Sequence, residues 1–490
     1  MTQPRSILSK EILPASLAIL STASLASFES LGVSAALPDI ATELGDVGLL
    51  PWVVTSYLLT SSLATVIAGP FIDSIGLRLM FRFAVVTFIA TSLGITLAPS
   101  MGVLVGLRLL QGFAGGLITT IGTSAVSLVY PSHLVSRAFA ANATVWGVMA
   151  VAGPAIAAVI LTFLSWRWIF YIILPLGGMA LIAGWKVMPG PYGHRTRGFD
   201  GYGIALLTAI VVSTLLAVEA LDATSAAWLA AGVIAVVLYV RHARRHPSPV
   251  VRLEHLVPQP FRGLAVSPAL LLIGTIGMST YIPLYVRAGL EASPALTAWS
   301  VLPHTMGWTL GAITSSRLAD RLSESRIVVT GFLVGLPSLA LSWLFVVMGA
   351  PLLVSCIGYL TAGVGMGMVT NSALTLLRTF AEEAEVGRVV SAHLFARNQG
   401  FTFGSAIGGA VLLLVVTGHL GDVNLVRELI ASTNAADAPA GAAEAVRSGF
   451  AAAVATGAVF GTLGLVSALR MRRFLTPARV ALRGEAGRRL

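Results

Sequence analysis

The chain has 490 residues, of which 56% are hydrophobic and 11% charged, with a mean hydropathy of +0.87. That composition lies far outside the soluble range and excludes an ordinary soluble domain, leaving an integral membrane protein. The net charge of +10 is carried by loops between apolar runs, which marks inner-leaflet anchoring and not a nucleic-acid footprint.

Apolar runs of spanning length recur to the end of the chain, so the first is expected to be a span and not a cleaved signal peptide. That run covers 13–38 and reads LPASLAILSTASLASFESLGVSAALP, with one acid, Glu29, inside it. A carboxylate in such a run must be protonated, paired or wetted, and its cost suggests a function. Spans at 50–72, 79–98, 100–128, 137–163 and 167–188 follow, then 201–219 and 224–240, then 260–288, 296–315, 327–348, 351–379, 389–418 and 447–470. The expected fold is an all-α polytopic membrane protein of fourteen spans. The lone Cys356, within the twelfth span, excludes an intramolecular disulfide.

With the N-terminus in the cytoplasm, the inner loops hold Arg78, Arg82, Arg137, Lys186, Arg241, Arg244, Arg245, Arg317, Arg321, Arg378 and Arg388. The tail adds a basic run from Arg470 to Arg489, whereas the outer side keeps only Arg167, Arg287, Arg427 and Arg447. The positive-inside rule then places both termini in the cytoplasm.

The chain repeats itself. Gly153-Pro154-Ala155-Ile156 of the fifth span matches Gly404-Ser405-Ala406-Ile407 of the thirteenth (404 − 153 = 251), and Gly112 of the fourth matches Gly363 of the twelfth (363 − 112 = 251). Asp73, after the second span, has its copy in Asp320 after the tenth (320 − 73 = 247). Spans one to six thus recur as nine to fourteen, and seven and eight are an inserted hairpin. The domains expected are 1–198, the hairpin 199–245, and 246–490 with its basic tail. Two parallel pseudo-symmetric six-helix bundles imply a central cavity and alternating access.

Several segments carry a resemblance. GPFIDSIGLR (69–78), RLLQGFAGG (108–116), GVMAVAGPAIAA (147–158), WRWIFYIILPLG (166–177) and FDGYG (199–203) resemble signatures of the fourteen-helix drug:proton antiporter branch of the major facilitator superfamily. This chain departs from that branch at three places: Glu29 stands where the branch usually has Asp, Ile173 where it has Asn, and Ala157-Ala158 where it has Gly-Gly. The resemblance implies proton-coupled export by Glu29 with Arg108. It also implies a cytoplasmic gate of Gly69, Asp73, Gly76 and Arg78, echoed by Asp320, with Asp73 docked on the start of the thirteenth span near Arg388.

The residues themselves leave alternatives open. Glu29 and Arg108 lie at similar depth, roughly 13 and 12 Å below the outer face at 1.5 Å per residue, and form either a static ion pair or a proton-coupling pair. Thr22, Ala26, Glu29, Val33 and Ala36 share one stripe of the first helix. Gly147, Gly153, Pro154, Gly404 and Gly408 are expected at close helix crossings between the halves. Arg397 and Asn398 either line a cavity or bond neighbouring helices, His304 titrates or is simply hydrogen-bonded, and Trp146, Tyr281, Trp308 and Asn371 are candidate cavity residues. The stretch 421–441 reads as a short helix and flexible loop without chemistry.

The function expected is proton-coupled export of a hydrophobic or amphipathic small molecule, by a monomer in the cell membrane, with lipids and protons as its other partners and no nucleic acid. No Walker-type loop is present in the sequence, so ATP is not expected as the energy source, and no cofactor is expected. A lipid or lipid-precursor transporter is the alternative. A membrane-embedded enzyme is disfavoured, because no paired acids or metal-spaced His cluster is seen in or beside the spans.

Overall fold

The computed structural model describes residues 6–46, 49–190, 200–219, 224–292, 294–382, 385–421 and 441–486, which are helical throughout apart from short turns. The helices are α1 (Leu13–Leu44), α2 (Leu50–Ile75), α3 (Leu77–Thr96), α4 (Met101–Val129), α5 (Ser132–Phe163), α6 (Arg167–Tyr171), α7 (Ile173–Gly184), α8 (Gly201–Glu219) and α9 (Thr224–Ala243). There follow α10 (Phe261–Leu284), α11 (Pro294–Trp299), α12 (Leu302–Leu318), α13 (Glu324–Val347), α14 (Leu352–Arg378), α15 (Val386–Leu420) and α16 (Ala442–Ala486). Among the described residues eleven helical stretches are long and apolar enough to cross a membrane, and Leu13–Glu29 and Gly201–Ala217 are shorter apolar ones.

The boundaries differ from the sequence expectation where a contact or a proline intervenes. Helix α1 runs on to Leu44 instead of ending at Pro38. A proline costs a helix one hydrogen bond and a bend, not its continuation, and the extension is fastened by Glu43, which accepts from Trp166 Nε1 at 2.7 Å and from Arg167. The sixth span is interrupted at Ile172, and the tenth at 300–301, where Pro303 opens α12. Helix α10 ends in a π-helical turn over Tyr285–Gly289. The final helix is much longer than 447–470, carrying the basic tail to Ala486. The loop expected over 421–441 lies, but for its two ends, outside the described residues.

The chain forms two compact units. The first is Met1–Ser213, Ala230–Leu256 and Leu377–Phe395; the second is Thr214–Leu229, Val257–Leu376 and Ala396–Leu490. Residues 377–395 belong to the second sequence repeat but pack within the first unit. In that unit α2 and α3 pack on α4, and α1 packs on α5 and α7. In the second, α10 and α13 pack on α16 around a core that includes Tyr285, Tyr359, Leu339 and Phe450.

Glycines set the closest crossings, and they repeat with the sequence. A Cβ at Gly112 would lie 2.3 Å from the Tyr57 carbonyl oxygen and one at Gly116 2.1 Å from that of Ser61, joining α4 to α2. A Cβ at Gly363 would lie 2.1 Å from the His304 carbonyl oxygen and one at Gly367 2.0 Å from that of Trp308, joining α14 to α12. The offsets are those of the sequence repeat (363 − 112 = 251; 304 − 57 = 247). In lipid, where burial of apolar surface gives helices little reason to associate, backbone approach of this kind supplies the packing. Gly404 and Gly408 find a different partner from the one expected. They close on Ile273 and Gly277 of α10, inside their own unit. Gly147 and Gly153 are buried on α5, and the side chain of Pro154 lies outside the described residues.

Candidate functional site

The acid that interrupts the first apolar run is fully buried, and Arg108 beside it is 2% exposed. The whole stripe Thr22, Ala26, Glu29, Val33 and Ala36 is buried, so α1 turns this face inward. Arg108 Nη1 donates to Glu29 Oε1 and, at 2.7 Å, to Gln111 Oε1, while its Nε donates to the Val53 carbonyl at 2.8 Å. Its guanidinium also lies 4.4 Å above the ring of Tyr57. Gln111, one turn along α4, is held by donating to Ser92 Oγ at 2.8 Å.

This arrangement has a chemical consequence. Arg108 does not depend on Glu29 alone for its hydrogen bonds. Were Glu29 to take a proton, Arg108 would keep Gln111, the Val53 carbonyl and the Tyr57 π face, partners that soften the cost of a buried cation. Glu29 Oε2 is shielded from solvent and has no hydrogen-bond partner among the described residues. Arg108 has partners of its own besides the carboxylate. Gln111 belongs to the 108–116 motif, whereas Tyr57 and Ser92 escape a reading of motifs.

The second cluster joins the last turn of α2 to the start of α15, all within the first unit. Asp73, 5% exposed, accepts from the backbone N–H of Gly387 at 2.8 Å and of Arg388 at 3.0 Å. A carboxylate on the first amides of a helix meets both its orphan donors and the positive end of its dipole. Close approach is required here: a Cβ on Gly69 would lie 2.7 Å from Ser391 Oγ, and one on Gly387 2.4 Å from Asp73 Oδ1. Gly76 ends α2 and begins α3 at φ +88°, a conformation open essentially to glycine. Nearby Glu385 accepts from Arg252 at 2.6 Å and lies 3.2 Å from His255 Nε2, and His393 Nε2 meets the His255 carbonyl at 2.9 Å. Burial pushes the His255 imidazole below its ordinary pKa of 6.5, with Glu385 working in the opposite sense. Arg378, at the end of α14, donates to the carbonyl of Ser127 at the end of α4.

Arg78, grouped by sequence with the gate, is committed elsewhere. It donates to the Met188 carbonyl at 2.8 Å and its amide to that of Pro189 at 3.0 Å, clasping the chain after α7. Asp320 lies exposed in the turn that follows α12.

The cavity candidates fall into two groups. Tyr281 donates to the Ser405 carbonyl at 3.1 Å and Asn371 to Ser315 Oγ at 2.7 Å, so both tie helices together. His304 is 2% exposed, with Nε2 lacking a hydrogen-bond partner among the described residues, as does Nε of Arg397. Trp308 packs on Phe401 at 5.9 Å, one turn beyond Arg397 on α15, and the Asn398 carbonyl accepts from Thr402. Trp146 is 36% exposed on α5.

Known proteins resemble this chain along most of its length. The Major Facilitator Superfamily profile matches residues 17–409. The multidrug transporter protein MdtP of Bacillus subtilis is 27% identical over 392 residues, 78% of this chain and 71% of that protein. The putative multidrug resistance protein MdtD of Klebsiella pneumoniae is 30% identical over 330 residues, 65% of this chain and 69% of that protein. Among solved structures, the human organic anion transporter MFSD10 superposes with a TM-score of 0.63 at 14% identity, covering 93% of this chain and 98% of its own. The proton:xylose symporter XylE does so at 0.58 and 15%, covering 94% and 95%. These two likenesses concern the fold alone.

Proposed function

The chain belongs to the major facilitator superfamily, and from that premise we propose that it is a proton-coupled exporter of hydrophobic or amphipathic small molecules, of the multidrug efflux type. The names of its relatives MdtP and MdtD support the substrate class. The observation that carries proton coupling is the buried Glu29–Arg108 pair, in which one carboxylate oxygen has no hydrogen-bond partner among the described residues and the arginine has other partners to fall back on.

In the proposed cycle Glu29 takes a proton from outside as substrate leaves, the halves rock inward, and the proton is lost to the cytoplasm as new substrate binds. Fourteen spans, an inserted hairpin of α8 and α9, cytoplasmic termini and a plasma-membrane location complete the reading. The docking of Asp73 on the amides of Gly387 and Arg388 would act as a cytoplasmic lock in this cycle.

The test is proton flux in proteoliposomes loaded with a pH dye and challenged with a cationic dye, a neutral apolar drug and a labelled phospholipid. Proton release driven by either drug, and not by lipid, supports the reading. Flux driven by lipid alone would replace it with a lipid transporter, and no flux with any of them would remove proton coupling.

A further inference from the structure

Where the inserted hairpin meets the inner loop, three residues converge that the transport cycle does not use. Asp200, 5% exposed, immediately precedes α8; His242 lies in the last turn of α9, and His246 lies three residues past its end, its amide on the His242 carbonyl at 2.9 Å. The potential ligand atoms of all three lie within 4.8 Å of one another. Asp200 Oδ1 sits 2.7 Å from His242 Nε2, and the two imidazole rings are 5.0 Å apart between centroids. We propose that Asp200, His242 and His246 form a binding site for a divalent transition-metal cation of the zinc class.

The chemistry of the donors fits. Two histidines four residues apart, one in the last turn of α9 and one just beyond it, give with one carboxylate the three-ligand N,N,O set that leaves a fourth position open to water; the sequence expectation of no metal-spaced His cluster beside the spans is corrected by this pair. The carboxylate is already held in its anionic form. Burial opposes its charge, but the amide of Gly203 at 2.8 Å, His242, and the amide of Val250 at 3.1 Å together hold its pKa below the usual range. Those amides are the outer contacts that orient a ligand and tune its basicity. Tyr202 sets an edge against the His242 ring at 5.0 Å, limiting its rotation.

Metal capture asks for modest change. The Nε2 proton that His242 gives to Asp200 must move to Nδ1, or to solvent if the ring is charged. His246 Nδ1 accepts from the Ser248 amide at 3.2 Å. That hydrogen bond breaks when the metal takes the ring through either nitrogen, since Nε2 ligation moves the proton onto Nδ1. Zinc bonds of about 2.0–2.2 Å are within reach of side-chain rotation from the present spacing. The site would pin the inner ends of α8 and α9 together.

The experiment uses the full-length protein, purified in detergent without a polyhistidine tag and stripped with chelator. Titration with Zn²⁺ by calorimetry, and with Co²⁺ by its visible absorption, is expected to give one site per chain and a tetrahedral or five-coordinate cobalt spectrum. His246→Ala, which leaves the Asp200–His242 contact intact, should weaken binding by at least about tenfold, and His242→Ala likewise. Monodisperse elution and an unchanged helical circular dichroism spectrum show that each variant is folded. Absence of a stoichiometric site in the wild type, or equal affinity in wild type and His246→Ala, overturns the proposal.

Discussion

The turns after α2 and after α12 are copies of one sequence feature, 247 residues apart, and they do different things. In the last turn of α2, Asp73 is buried and occupied by two backbone N–H groups of α15, and Gly76 at φ +88° lets α3 begin at once. After α12, Asp320 is exposed, and Ser323, in the place of Gly76, takes an ordinary extended conformation at φ −70° and ψ 145° before α13. The acid is common to both copies, but Asp73 is buried and Asp320 exposed. The difference lies in the glycine-permitted turn and in glycines at 69 and 387 that let the carboxylate reach a helix terminus.

The largest effect expected from this comparison is at Asp73. Asp73→Asn removes the charge from two charge-assisted hydrogen bonds, about 3 kcal/mol in all, so amide exchange at Gly387 and Arg388 should accelerate roughly 100-fold by mass spectrometry. Unchanged protection of that peptide would mean the contact carries no weight. Next comes Gly76→Ala, which forces a side chain into positive φ at a cost of about 2 kcal/mol. The thermal midpoint in detergent should fall, while Ser323→Ala should leave it unchanged. Equal midpoints for the two variants would break the comparison.

A smaller, pH-dependent effect is expected at His255, which sits between Glu385 and His393 beside the dock. Its pKa is lowered when buried, so the docked state favours the neutral ring. Undocking exposes a ring that takes a proton below about pH 6.5. The contribution of His255 to docking should therefore be level above that pH and fall as pH drops below it, read as the difference in exchange over 386–391 between wild type and His255→Gln after correction for intrinsic rates. A difference that does not change with pH contradicts the assignment.

Much of this was legible in the sequence. Glu29 announced itself by its cost in an apolar run, and Arg108 by its depth. Asp73 came with Gly69, Gly76 and Arg78 in one motif, and the family resemblance of that motif pointed to a partner near Arg388. What stayed hidden is what depends on tertiary contact: Tyr57 beneath Arg108, Ser92 behind Gln111, Glu385 between Arg252 and His255, and the turn of Arg78 toward Met188. The continuation of α1 past Pro38 was also hidden, because the fastening of Glu43 by Trp166 and Arg167 crosses more than 120 residues. The glycine pairs of α4 and α14 were visible as a repeat, but their use against α2 and α12 needed coordinates.

The central claim is that Glu29 carries the coupled proton, and Glu29→Gln tests it most directly, since the amide keeps the shape of the protonated acid and cannot cycle. In proteoliposomes with an imposed pH gradient, ethidium accumulation should be lost in the variant, while ethidium binding, followed by its fluorescence on the purified protein, persists. Accumulation against the gradient at the wild-type rate would contradict the account and leave the Glu29–Arg108 pair a structural one.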